Sequence, residues 1–285
     1  MVKQLSAFIA WLLYTSLFAA LCALALCVAT ETLLLRELPP LITVLHGYLI
    51  GCTLVVYNAH FLIRNNTFTK QSATDRQDWS VRNRRWHFIV CGIGALLAFY
   101  SILHLSWDII LASVILGALS FTYTLPLLPF GRRLRDWGLV KIFTLTTVWT
   151  ITTAILPIFY WEKPIADYPM EIAMRFVFMF SLCVAFDIRD LRADAMSNIS
   201  TVPNRIGISR SKKLMYISLI LFLILAIIQY LRYGIESRLL AELLTTIAAG
   251  FVLHKAGGER SDKFYLGYVD GLMLLNGILV ILLSA

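Results

Sequence analysis

Three aspartates, Asp187, Asp190 and Asp194, stand at i, i+3 and i+7. If they lie on a helix, this spacing brings all three carboxylates to one face. Like charges on one stripe repel, so a purely structural role is uneconomical, and a hard divalent cation removes the repulsion. Mg²⁺ commonly takes one or two carboxylates, several waters and the phosphate oxygens of a substrate. The face therefore suits a phosphorylated ligand. The plainer reading is a solvated helix end, with Asp187, Arg189, Asp190 and Arg192 as a salt-bridge ladder. Pro203 and Gly207 punctuate the segment that follows.

The elements that must position these residues are membrane helices. The chain has 285 residues, 59% hydrophobic and 15% charged, where a soluble domain carries about 25% charge. Mean hydropathy is +0.76, and the same figures exclude a disordered chain. The five cysteines lie in apolar runs and read as buried thiols. A helix needs roughly 20 apolar residues to cross the hydrocarbon core. Nine such stretches run about 5–29, 41–63, 87–105, 108–126, 140–160, 172–187, 214–231, 237–253 and 264–284. The first is too long for a signal-peptide core and counts as a span. Loop charge agrees with the count: with the N-terminus inside, the outer side holds only Arg36, Lys163, Arg175, Arg232 and Arg238 of the 25 Lys+Arg. The expectation is an all-α, polytopic bundle. Residues 1–285 form one transmembrane domain, with cytoplasmic loops at about 64–86, 127–139, 188–213 and 254–263. No soluble domain accompanies the basic loops, so the net charge of +8 points to anionic lipid or a diphosphate rather than nucleic acid.

Nine spans with Asp187-Ile188-Arg189-Asp190-Leu191-Arg192-Ala193-Asp194 after the sixth resemble the UbiA superfamily of intramembrane prenyltransferases, whose second motif is DxxDxxxD. Thr201-Val202-Pro203 and Gly207 sit where the family often has Thr-x-Pro and Gly. Phe121-Thr122-Tyr123-Thr124-Leu125-Pro126, followed by Arg132, Arg133, Arg135 and Lys141, resembles its Tyr-Thr/Ser-x-Pro and basic run. The resemblance implies a nine-helix UbiA-type bundle and Mg²⁺-dependent transfer of a prenyl group from a prenyl diphosphate to an aromatic or lipophilic acceptor. Asp187, Asp190 and Asp194 would hold metal or diphosphate. The leaving diphosphate needs charge neutralisation, and the allylic cation needs a dry cavity.

The chain departs from the family at the first motif, NDxxDxxxD. Its counterpart, Val56 to Asn66, supplies no carboxylate in either register around Asn58, and none occurs between Glu37 and Asp75. Three readings follow. The chain is a divergent prenyltransferase in which Arg64, Lys141 and Arg205 take over diphosphate neutralisation, Asn58 adds a carbonyl oxygen and Tyr123 borders the acceptor or prenyl chain. Alternatively, it is a UbiA-fold lipid-binding protein with altered or lost chemistry, or a transporter. Asp75-Arg76-Gln77-Asp78 reads as ion-paired residues of a cytoplasmic loop, not a displaced DxxD. Ionisable residues inside spans are often functional. Asp270, about 9 Å into the last span, is a candidate for the same cavity; Glu242 would snorkel outward, and His46 would be a satisfied packing residue. His60 stands where the first motif should be, and Gly92-Ile93-Gly94 reads as close helix packing. The expected location is a bacterial plasma (inner) membrane, with the N-terminus cytoplasmic and the C-terminus outside.

Overall fold

The computed structural model describes residues 2–63, 75–124, 129, 133–196 and 199–284. Among them every regular element is helical. In order these are α1 (Val2–Tyr14), α2 (Leu17–Leu35), α3 (Val44–Ile63), α4 (Asp75–Arg82), α5 (Arg84–Ile102), α6 (Trp107–Thr124), α7 (Gly138–Thr150), α8 (Leu156–Tyr160), α9 (Pro169–Met196), α10 (Val202–Tyr233), α11 (Glu236–His254) and α12 (Gly271–Ser284). Seven helical segments are long and apolar enough to cross a membrane. Only helices and closed barrels satisfy their backbone groups inside lipid, and the chain is an integral, multi-pass membrane protein. The seven fall on seven of the nine expected spans. The other two expected spans coincide with the shorter Trp107–Tyr123 stretch and with α9, which carries several charges.

Packing centres on α2, which is buried along most of its length between α3 and α12. α9 packs along α10 and against α7, and α3 along α5. The α3–α5 crossing is close because Gly51 and Gly94 face each other: a Cβ on Gly51 would meet the Gly94 carbonyl oxygen at 2.6 Å. Gly92 faces open space, so only half of that glycine pair serves packing. All five cysteines are free thiols; Cys22, Cys27 and Cys183 are buried, whereas Cys52 and Cys91 are half-buried.

Two π-helical turns interrupt the spans. The first, Ile151–Ile155, precedes Pro157. Proline has no N–H to donate to the carbonyl four residues back, and the Thr30 hydroxyl donates to that Thr153 carbonyl at 2.8 Å instead. The second, Phe264–Val269, ends at Asp270, whose N–H donates to the Tyr265 carbonyl at 3.0 Å. Such turns often mark functional positions, because they re-aim the residues beside them.

Cys27, Glu31 and His46 cluster as a metal site might, but their hydrogen bonds argue otherwise. The Thr43 N–H donates to His46 Nδ1 at 3.1 Å, so Nε2 carries the ring proton and donates it to Glu31 at 2.6 Å. His46 is thus the satisfied packing residue that was expected. Glu31 also accepts from Trp161 at 2.9 Å.

Candidate functional site

α9 runs about nine residues beyond the expected span, roughly 13 Å, and this extension carries the aspartate face. Asp187 and Asp194 are buried and Asp190 is 31% exposed. All three converge on one atom. Lys141 Nζ lies 3.0 Å from Asp187, 3.6 Å from Asp190 and 2.8 Å from Asp194. Lys141 is one turn into α7, and Gly138 sets where that helix starts. A Cβ on Gly138 would overlap the Ser200 carbonyl oxygen at 1.9 Å, so only glycine lets α7 lie this close to the segment after α9.

The solvated salt-bridge ladder forms only one rung. Arg189 pairs with Asp190 at 2.8 and 3.3 Å, while Arg192 pairs with Glu259. Burial opposes ionisation of Asp190, yet Arg189 and Lys141 together hold its carboxyl below the ordinary range. Burial keeps the Asp194 carboxyl above its ordinary range despite the Lys141 ammonium. Among the described residues Lys141 and Arg189 are the cations in salt-bridge contact with the three carboxylates, and Arg135 lies within electrostatic reach of Asp190 and Asp194. Asp187 Oδ2 is buried without a hydrogen-bond partner, and an orphaned buried oxygen is costly unless something positive meets it. Three hard carboxylates on one face, one with an unpartnered oxygen, fit one divalent cation of the Mg²⁺ kind.

Asp270 and Arg76 join this neighbourhood. Both lie within electrostatic reach of Arg189. Arg76 corrects the loop reading of Asp75–Asp78: α4 is amphipathic, with Asp75 and Asp78 exposed and Arg76 turned inward. Burial, then the neighbouring Arg189, pushes its pKa down to about 10. Tyr123, at the end of α6, is within electrostatic reach of Lys141. Arg205 is not brought in; it is exposed and donates to Ser200 Oγ at 2.9 Å. Arg64 and the His60 side chain lie outside the described residues.

Asn58 is spent on packing rather than on a ligand. Its amide donates to the carbonyls of Thr15 at 2.9 Å and Leu54 at 2.8 Å, and its oxygen lies 2.6 Å from His87 Nδ1. Replacing Asn58 by alanine strands these buried partners and is expected to cost about 1–3 kcal/mol. Thermal unfolding in detergent checks this; unchanged stability would make the network dispensable. Glu242 does not snorkel. It is 1% exposed, bound by Asn276 at 2.5 Å and by Arg238 at 3.3 Å.

Sequence reasoning placed Arg189 beside the motif only as a rung of a solvated ladder, and it missed Arg76 as an inward residue. Arg189 was visible inside the motif itself. Nothing local separates Arg76 from the exposed Arg82, Arg84 and Arg85.

With this geometry the chain was compared with known proteins. A UbiA homologue from Archaeoglobus fulgidus bound to GPP and Mg²⁺ superposes with a TM-score of 0.63 at 15% identity, covering 95% of this chain and 99% of that one. The fold is the UbiA fold. A UbiA homologue from Aeropyrum pernix K1 matches at TM-score 0.63 and 16% identity, over 93% of this chain and 95% of that one. A digeranylgeranylglyceryl phosphate synthase matches at 0.56 and 11% identity, over 96% and 97%. No family model and no curated protein matches the sequence. The UbiA fold thus extends over nearly the whole chain at low identity.

Proposed function

We propose that this UbiA-fold chain transfers a prenyl group from a prenyl diphosphate to a lipophilic or aromatic acceptor within the membrane, in a divalent-cation-dependent reaction. The observation that carries the reading is the convergence of Asp187, Asp190 and Asp194 on one point, with Asp187 Oδ2 buried and unpartnered. Likeness to folds solved with GPP, DMAPP and Mg²⁺ supports it.

In the reaction the bond between prenyl C1 and the diphosphate oxygen breaks, and its electron pair leaves with the diphosphate. An electron pair of the acceptor forms the new bond to C1, and the acceptor loses a proton. A cation bound at Asp187, Asp190 and Asp194 would neutralise the departing diphosphate. Lys141 holds the three carboxylates together, and Arg189 orients Asp190. Tyr123 borders the same neighbourhood and offers an aromatic surface to the prenyl chain or acceptor. The surrounding apolar helices exclude water from the cationic carbon.

Nine spans in one domain of residues 1–285, an N-terminus in the cytoplasm and a C-terminus outside are the topology we assign, in a bacterial plasma membrane. The loop-charge asymmetry supports it. The site then faces the cytoplasm.

Protein in lipid nanodiscs is expected to release diphosphate from GPP, or from a longer prenyl diphosphate, with Mg²⁺ present. Asp187→Asn should lower the rate at least about 10²-fold. Absence of release from every chain length offered, with or without Mg²⁺, would discard the reading in favour of lipid binding or transport.

A further inference from the structure

The side of the site facing α3 lacks the carboxylates that would hold a second cation, but it does not lack positive charge. The Arg76 guanidinium has Asp262 and Asp270 within electrostatic reach but forms no salt bridge with either. Its Nη2 donates to the Tyr14 carbonyl at 3.3 Å and to Ser16 Oγ at 2.7 Å, both neutral acceptors. Its plane lies over the Phe61 ring at 4.8 Å. Its Nε is buried with no hydrogen-bond partner, and among the described residues the guanidinium forms no ion pair. The nearby Asp262 accepts from the Arg76 backbone N–H at 2.9 Å. A buried donor left unsatisfied is costly, and the Arg189 charge adds repulsion.

Two inward guanidiniums beside three carboxylates make sense if an anion belongs between them. Arg189 is committed to Asp190 on one edge and stacks on Phe186 at 4.8 Å. Among the described residues the Arg76 guanidinium donates to neutral oxygens rather than to a carboxylate. It is anchored from several directions at once: its backbone to the α12 side through Asp262, its Nη2 to the α1–α2 junction, and its face on α3. An arginine mounted this firmly, with a donor left over, is prepared for an oxyanion.

We propose that Arg76 is a diphosphate anchor: on the α3 side of the site a guanidinium, not a second carboxylate-held cation, receives the phosphate oxygens. Arg189, within electrostatic reach of Arg76, adds positive charge, so one divalent cation at the aspartates suffices. The proposal rests on the prenyl-diphosphate reading above and names how this chain manages without a first aspartate motif.

Calorimetric binding of inorganic diphosphate, in EDTA and in Mg²⁺, tests it. Arg76→Gln should weaken binding about tenfold or more under both conditions, with Arg76→Lys intermediate, while Asp187→Asn should lose only the Mg²⁺-dependent part. If Arg76→Gln binds diphosphate as wild type does while Asp187→Asn still abolishes turnover, the anchor is wrong and prenyl transfer stands. If wild type neither binds diphosphate nor turns over a prenyl diphosphate, both readings fall. Should the variants fail to fold, wild-type protein modified with phenylglyoxal gives the answer by peptide mass. Diphosphate is expected to shield Arg76, and equal modification with and without it overturns the anchor.

Discussion

Lys141→Met is expected to lose about 3–5 kcal/mol of stability in EDTA and to recover much of it when Mg²⁺ is added. The ammonium is buried, with three carboxylates between 2.8 and 3.6 Å from it. Removing it leaves Asp187 and Asp194 buried and mutually repelling, with Arg189 in contact with the trio through Asp190 alone. Breaking a buried ion pair from one side costs about this much, because the charge left behind is uncompensated. A divalent cation can take the vacated position, since oxygen donors of matching charge already surround it. The wild-type protein should gain less from Mg²⁺, because Lys141 already neutralises part of the charge. Denaturation followed in chelator and in a Mg²⁺ series, for both proteins, gives the comparison. Equal stability of variant and wild type in EDTA would mean that the ammonium does not hold the aspartates together. A variant unmoved by Mg²⁺ would mean that the three carboxylates do not form a cation site.

The same residues show what a sequence makes visible. The spans were legible because lipid demands long apolar runs, and the helices fall where those runs lie. α4 was not, because eight residues of which four are charged look like any surface loop until the inward turn of Arg76 is seen. The aspartate trio was legible from spacing alone, since a helix turns i, i+3 and i+7 to one side. Its partner was half legible. Lys141 was expected to meet a diphosphate, and it meets the aspartates, because nothing in a sequence states how closely α7 approaches α9. That approach depends on Gly138, which is unremarkable as a letter and decisive as a missing Cβ. Asn58 erred in the other direction. Its alignment with a motif position suggested a ligand, but a carbonyl just past the end of α1 and a histidine on α5 use its side chain first.

The largest loss of stability away from the site is expected for Glu171→Gln. Glu171 begins α9, 16 residues before Asp187 on the same helix, a rise of about 24 Å. One carboxylate oxygen accepts from Arg175 at 2.9 Å and lies 3.1 Å from the Thr30 hydroxyl; the other accepts from Arg238 at 2.7 Å and Gln229 at 3.2 Å. All five side chains are buried. The amide is isosteric but neutral and can no longer oppose two guanidiniums, so about 3–5 kcal/mol should be lost. Glu242→Gln should cost less, because Glu242 meets a single arginine at the longer distance of 3.3 Å. Removing charge in pairs separates electrostatics from packing. Glu171→Leu with Arg175→Leu should be less damaging than Glu171→Leu alone, because the double change strands one arginine fewer and Arg238 keeps Glu242. Denaturation of the four variants in detergent decides the matter. A Glu171→Gln protein as stable as wild type, or a double variant no more stable than Glu171→Leu, would remove the charge-pairing account. In lipid no hydrophobic force draws helices together, so buried polar contacts carry more of the association. The two intrahelical pairs, Glu171 with Arg175 and Arg238 with Glu242, meet across α9 and α11 and bind the α2 backbone through the Leu26 and Ala29 carbonyls. This clamps the end of α9 remote from the aspartates, so that its other end can present three carboxylates to Lys141 without splaying apart.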